Sequence, residues 1–282
     1  MKKIYLVPNA NKDKDLKVTW AVVERLRSHG AAVSLPIELS GKIPDCSYTD
    51  TPEPDTELVI VIGGDGSFID ASNYALSLDV PMLGINLGKL GYLSEVEPDD
   101  LSALDSVFTG EYKIVEKMLL ECVCISDGKE LRSERLAVND VVVSHSSYLG
   151  IADFTVRSRD GSVGYRADGV VISTPAGSTA YSLSVGGPIV SHSADSLIVT
   201  PIAPHSFFNR SLIFGSRETV SVECNADAPL NVSVDGRHFF TLTRDDICTV
   251  FSSEKRLKVL TFTNNNMLSV LFNKMRTVED II

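Results

Sequence analysis

The chain has 282 residues, 44% of them hydrophobic and 22% charged, which suits one large or two medium globular domains with ample core. Its 26 basic and 37 acidic residues leave a net charge of −11, which argues against nucleic acid or an anionic membrane as a partner. That charge leaves room for a phosphate-rich small ligand, because a nest of amides and a bound cation override the global field locally.

Five cysteines at 46, 122, 124, 224 and 248 show no C-x-x-C spacing, and their odd count indicates neither a disulfide framework nor a zinc site. Cys122 and Cys124 share one face of a predicted strand and read as buried free thiols, consistent with a reducing, cytoplasmic setting. No long apolar stretch suggests a signal peptide or a membrane span.

In chain order, Ile4 to Val7 reads as a strand and Asp15 to Ser28 as a helix, with Val18, Val22, Val23 and Leu26 at helical spacing and Gly30 as a stop. Ala32 to Leu35 reads as a second strand, and residues 40–57 as a solvated loop rich in Gly, Pro, Asp and Thr. Leu58-Val59-Ile60-Val61-Ile62 then has the density of a strand buried on both faces. It breaks into Gly63-Gly64-Asp65-Gly66-Ser67, and Ser67 to Leu78 reads as a helix. Glycines allow tight turning, positive φ and close approach to a ligand, while the helix start offers free amides and a positive dipole end. Together they favour phosphate, so the lone carboxylate of Asp65 needs a role. Val80 to Leu87 reads as a further strand, and the order of elements is that of an open parallel α/β sheet.

Near residue 100 the texture changes. Asp100 to Phe108 reads as a short helix ended by Gly110. Short apolar or alternating runs follow at 113–125, 138–143, 151–157, 169–173, 220–224, 230–234 and 247–251, the cadence of an all-β domain. Asn266 to Met275 reads as an amphipathic helix suited to pack on the N-terminal α/β unit.

Three further stretches look chemical. Tyr165-Arg166-Ala167-Asp168-Gly169 and Ile172 to Ser184, followed by Gly186-Gly187-Pro188, crowd small residues with hydroxyls that could serve ring edges and ribose, and Tyr181 could stack on a planar ring. Asn139-Asp140 interrupts an apolar run, a costly placement unless paired, and suits a ribose diol or an Asx-stabilised turn. In Thr200-Pro201-Ile202-Ala203-Pro204-His205-Ser206, two prolines stiffen the chain where His205 and Arg210 could reach an anion.

These segments occur in the order seen in NAD kinases, and the chain resembles a bacterial or archaeal-type member of that family over most of its length. The resemblance implies an α/β domain with a parallel sheet at 1–100 plus about 264–282, and an all-β, sandwich-like NAD-binding and oligomerisation domain at 101–263. It implies a C-terminal helix returning to the first domain. The implied reaction moves a phosphoryl group from ATP, or another donor such as polyphosphate, to the 2′-hydroxyl of the NAD adenosine ribose, with Mg²⁺ or another divalent cation.

By motif, Asp65 would be the base or orienting group, and Gly63, Gly64, Gly66 and Ser67 would meet phosphate. Gly66, Asn139, Asp140, Arg166, Asp168, Ala176, Thr179, Ala180, Tyr181 and Ser184 would bind NAD. Among these, Asn139 and Asp140 would hold adenosine, and Ser184 would lie near adenine. Lys89, Arg166 or Arg210 could assist the phosphoryl group. Family sites are built between subunits, implying a homodimer or homotetramer in which Asp168 serves a neighbouring chain. Ser67 stands where Thr is usual and Asp140 where Glu is usual, so the Asp140 contact could shift or pass through water. Rival readings are a phosphofructokinase-like or lipid kinase with the same Gly-Gly-Asp-Gly turn, and a non-catalytic NAD sensor. Retention of Asp65 argues against the sensor.

Overall fold

A computed structural model describes residues 1–88, 91–145, 151–225 and 229–262. They form two compact units: Met1–Glu116 with the described residues from Leu257 onward, and Lys117–Arg256.

In the first unit, β1 (Lys3–Pro8), β2 (Ala32–Pro36), β3 (Ser47–Thr49), β4 (Leu58–Gly63) and β5 (Met82–Asn86) form a parallel sheet in the order β5-β4-β1-β2-β3. Helix α1 (Lys17–Ser28) joins β1 to β2, and α2 (Asp65–Leu78) joins β4 to β5. The order reverses between β1 and β4, so the carboxyl ends of those two strands flank the crevice where open α/β sheets bind ligands. Every residue of β4 and β5 is buried, as the absence of polar alternation predicts. The end of a later strand adds to this sheet, Val259 pairing in parallel with Met82.

Local differences from the sequence reading have clear causes. Asp15 and Leu16 adopt φ of 61° and 53°, so α1 begins at Lys17 and not at Asp15. The buried Asp13 caps it instead, its carboxylate accepting from the amides of Val18 at 3.0 Å and Thr19 at 2.8 Å. Residues 40–57 are more than a solvated loop: they contain β3 and bury Ile43 and Thr56. Single apolar residues among glycines and prolines carry no period by which to detect them. The helix expected at 100–108 divides into a 3₁₀ turn, Leu101–Asp105, and α3 (Ser106–Thr109), closed by Gly110 at φ 80°. The C-terminal helix expected at 266–275, with its return to the first domain, lies outside the described residues.

The strands that follow are β6 (Lys113–Ser126), β7 (Lys129–Arg132), β8 (Asp140–His145), β9 (Ala152–Ser158), β10 (Gly161–Ala167), β11 (Gly169–Ser173), β12 (Ser196–Ile202), β13 (Leu212–Gly215), β14 (Thr219–Asn225), β15 (Leu230–Val234), β16 (Arg237–Leu242) and β17 (Ile247–Thr261). One antiparallel sheet runs β13-β12-β11-β8-β15-β16. The second unit's other sheet runs β10-β9-β14-β17, with β6 joining β17 and β7 joining β6. Alternate residues such as Leu120, Val143, Phe154, Ile172, Val222 and Val232 share one apolar core, which makes the unit a β-sandwich.

All seven runs named from sequence fall on strands, but β7, β10, β12, β13 and β16 were not anticipated. β10 hides behind its glycines, and β12 behind Pro201. That proline pairs with Val170 yet lies beyond Ser196–Val199, the stretch that meets β13.

Phe68, in the first turn of α2, is fully buried against Gly84 of β5. Phe68→Ala is expected to lower the unfolding free energy by about 3–5 kcal/mol, read by urea denaturation. A loss below about 1 kcal/mol would mean that α2 is held in place by other contacts.

Candidate active site

Where β1 and β4 end side by side, the Asn9 amide donates to the Ile62 carbonyl at 2.8 Å and its Nδ2 to Ser67 Oγ at 2.7 Å. Gly64 is the extended N-cap (φ −107°, ψ −174°), and α2 starts at Asp65, two residues before the predicted Ser67. Asp65 and Gly66 are therefore first-turn helical residues rather than loop. None of Gly63, Gly64 and Gly66 adopts positive φ, contrary to expectation. Closeness explains two of them instead. A Cβ on Gly63 would stand 2.7 Å from Ser67 Cβ, and one on Gly64 2.6 Å from Lys12 Nζ. At the exposed Gly66 a Cβ would meet nothing within 4 Å.

The partly buried Asp65 carboxylate accepts from the amides of Tyr92, at 2.9 and 3.0 Å, and Leu93, at 3.1 Å. Those amides set its orientation and leave lone pairs for other partners. The α2 dipole end and unpaired first-turn amides open at the same point, with the Lys12 ammonium beside them. A cavity of 260 Å³ adjoins the turn, lined by Val7–Asn9 of β1 and its end and by Ser67, Asp70, Ala71 and Tyr74 of α2.

In the second unit, Asn139 and Asp140 sit at the start of β8, gripped from two sides. Asp235, at φ 48° in the β15–β16 turn, accepts from the amides of Val138 at 2.7 Å, Asn139 at 2.8 Å and Asp140 at 3.0 Å. Across from it, the Thr174 amide donates to the Asn139 carbonyl at 2.8 Å and its hydroxyl to the Val138 carbonyl at 2.7 Å. A Cβ on Gly177 would fall 2.0 Å from the Asn139 carbonyl oxygen, so that position takes glycine alone. Burial, and then the neighbouring charge of Asp235, pushes the Asp140 carboxyl up to about 7. Burial also raises Asp235, with the three amides and Arg135 opposing.

The hydroxyls of the small-residue stretch are largely engaged within the unit itself. Residues 173–179 are all buried. Ser178 Oγ donates to the Pro175 carbonyl at 2.7 Å, Thr179 Oγ1 to the Ala176 carbonyl at 3.2 Å, and Ser182 Oγ lies 3.4 Å from Thr200 Oγ1. What faces outward is the short helix α4 (Tyr181–Ser184), with the Tyr181 ring 43% exposed, Ser184 exposed and Ala180 partly so.

Arg166 and Asp168 are exposed at the end of β10 and just before β11. The Arg166 amide donates to Ser206 Oγ at 3.2 Å and its carbonyl accepts from the His205 amide at 2.7 Å, which joins two of the motifs. The Arg210 carbonyl accepts from the Tyr165 hydroxyl at 2.9 Å. In the β8–β11 ladder Asp140 faces Ser173 and Ser144 faces Gly169. Asp168 is thus at the far end of β11 from Asp140, about 16 Å along the strand. Lys89 lies outside the described residues.

Residues 47–112 match the family model of the ATP-NAD kinase N-terminal domain, and residues 138–262 that of the ATP-NAD kinase C-terminal domain. The chain belongs to the NAD kinase family. An NAD kinase of Lachnoclostridium phytofermentans is 35% identical to it over 97% of this chain and 99% of its own length. One from Caldanaerobacter subterraneus subsp. tengcongensis is 32% identical over 98% and 99%. Yeast NADH kinase complexed with NADH shares the fold, with a TM-score of 0.83 at 24% identity, covering 96% of this chain and 86% of the yeast one. So does an NAD kinase from Archaeoglobus fulgidus in complex with ATP, with a TM-score of 0.72 at 22% identity, covering 97% of this chain and 98% of the archaeal one.

Four features of this NAD kinase family member escaped the sequence reading: Asn9, Lys12, the Tyr92–Leu93 amides and Asp235. The end of the first strand was a readable signal for Asn9 and Lys12, because a reversal of strand order brings that end to the crevice. Asp235-Gly236 carries in sequence only the signal of a hairpin turn.

A native Asp140 carboxyl at about 7, against 3.8 for the free side chain, keeps a proton that the unfolded chain releases between those values. Stability therefore falls as pH rises through this window. Thermal denaturation from about pH 5 to about pH 8 is expected to show the parent chain losing Tm relative to Asp140→Asn. A constant Tm difference across that range would contradict a buried ionisation at this position.

Proposed function

We propose that this chain transfers the γ-phosphoryl group of ATP, or of another phosphoryl donor, to the 2′-hydroxyl of the adenosine ribose of NAD, yielding NADP. The observation that carries this reading is the Asp65 carboxylate, oriented by two amides at the start of α2 in a strand-reversal crevice, in a chain of the NAD kinase family. A sugar hydroxyl is a poor nucleophile at neutral pH. A carboxylate within about 3 Å accepts its proton as the new P–O bond forms. Phosphoryl transfer otherwise asks for positioning and charge neutralisation. The α2 amides beside Gly63, Gly64, Gly66 and Ser67 supply these, together with the Lys12 ammonium.

The donors around the turn are hard oxygens, and one carboxylate plus substrate phosphates is the set that Mg²⁺ takes, so Asp65 fits it. Mg²⁺ bound with the triphosphate would neutralise its charge.

In the second unit, Asn139 and Asp140 would receive the adenosine part of NAD on a rigid backbone. An Asp140 carboxyl poised at about 7 can donate or accept toward a ribose hydroxyl. Tyr181 would stack on a planar ring, beside Ala176, Thr179, Ala180 and Ser184. Arg166 and Asp168, displaced along β11 from Asp140, would serve the same ligand's far end or a neighbouring chain's site. We propose a homodimer or homotetramer, with the α/β unit holding phosphate and the β unit holding NAD and the subunit contacts. We propose a reducing, cytoplasmic setting for the reaction, in keeping with five free cysteines.

Asp65→Asn is expected to leave folding and NAD binding near intact while lowering kcat by about 10²–10⁴-fold, read by coupling NADP formation to an NADP-specific dehydrogenase. Turnover close to that of the parent would eliminate the base role. Asn139→Ala keeps the gripped backbone and is expected to raise the KM for NAD at least about tenfold, with the KM for ATP changing less than about twofold. Equal shifts in both constants would place Asn139 outside the NAD site.

A further inference from the structure

Three buried thiols converge inside the β-sandwich. Cys122 and Cys124 are two apart on β6, so both point into the core, and Cys248 sits on β17, the strand that β6 joins. Their sulfurs all lie within 4.8 Å of one another, and Cys122 Sγ and Cys248 Sγ are 3.6 Å apart. We propose that Cys122, Cys124 and Cys248 form a three-sulfur site for a soft, thiophilic cation, for which cuprous copper is the best match.

The spacing fits three-coordination. A cation about 2.3 Å from each of three sulfurs in one plane sets those sulfurs about 4 Å apart. The observed 3.6 Å is well beyond a disulfide bond of about 2.05 Å, so the thiols are present as separate ligands. Softness then selects the ion. Thiolates prefer Cu(I), whereas Zn²⁺ in a closed site takes four ligands. The carboxylate nearest in influence, Asp246, is engaged by the Thr243 amide at 2.7 Å and the Thr243 hydroxyl at 2.8 Å. The rest of the surrounding core is apolar, which excludes water as a fourth ligand. Loading binds one Cu⁺ and releases one proton to solvent for each thiol that becomes a thiolate ligand, with no change of oxidation state.

A cavity of 630 Å³ is lined by Glu223, Arg244, Asp245, Asp246 and Ile247, and Ile247 points to the face of β17 opposite the Cys248 sulfur. Its acidic side chains raise the local cation concentration at the surface of the unit that encloses the three sulfurs. The sequence hides this site because Cys248 lies 126 positions from Cys122.

The test uses the reduced full-length chain, mixed anaerobically with Cu(I) in competition with a colorimetric Cu(I) chelator. One equivalent per chain is expected to be withheld from the chelator. Copper K-edge X-ray absorption is expected to show three sulfurs at about 2.3 Å. Cys46→Ser, in the other unit, should retain that equivalent, while Cys124→Ser and Cys248→Ser should weaken binding at least about tenfold. No copper withheld, a shell of two sulfurs or of mixed nitrogen and oxygen, or unchanged affinity in folded cysteine variants would each overturn the proposal. The absorption spectrum of the unsubstituted chain decides even if a variant fails to fold. Zn(II) offered instead should be removed by a mild chelator, and one tightly held four-coordinate zinc would overturn the choice of ion.

Discussion

Carboxylates that accept backbone amide hydrogens are the interaction on which much else in this chain depends. Asp13 takes the first amides of α1, Asp65 takes those of Tyr92 and Leu93, and Asp235 takes three in succession from Val138 to Asp140. Charge-assisted bonds of this kind contribute about 1.5–3 kcal/mol each, more than neutral ones, and their geometry is directional. Each therefore pins a segment that is otherwise free to move. Asp235 does so across 95 residues of sequence, tying a hairpin turn to the start of β8. The same device that stabilises the fold thus orients both candidate halves of the chemistry.

Local amides also resolve the apparent conflict between a net charge of −11 and a ligand rich in phosphate. Phosphate at the β4–α2 turn would meet backbone N–H groups and a helix dipole, both independent of residue charge. Lys12 is the local positive charge that the close packing at Gly64 brings in. An acidic surface elsewhere limits non-specific association with polyanions and leaves this small field intact.

Much of the architecture was legible because period and run length encode burial. The continuous run Leu58–Ile62 announced a doubly buried strand, and alternating runs announced the sandwich. What stayed hidden depends on contacts between segments distant in sequence. Pro201 and the glycines of β10 obscured two strands whose partners make them. The hydroxyls of Ser178, Thr179 and Ser182 looked available for a ligand, yet two donate to carbonyls of their own turn and the third lies against Thr200 on β12. Gly63 and Gly64 were correctly marked as special, though for lack of room and not for left-handed backbone. Asp65, Asn139 and Asp140 stood out as polar residues in apolar or glycine settings. Asp235 did not, since an Asp-Gly turn is the ordinary end of a hairpin.

The approach of Gly177 to the Asn139 carbonyl has a consequence for how such a site can diversify. No side chain, not even a methyl group, fits between the two backbones, and residues 173–179 are all buried, with Thr174, Ser178 and Thr179 hydroxyls donating to backbone carbonyls. Substitution there would break the scaffold before it could alter preference. Variation is therefore channelled to the outward rim, where the exposed Tyr181 and Ser184 can change without a packing penalty. The chain separates an immutable floor from an editable edge.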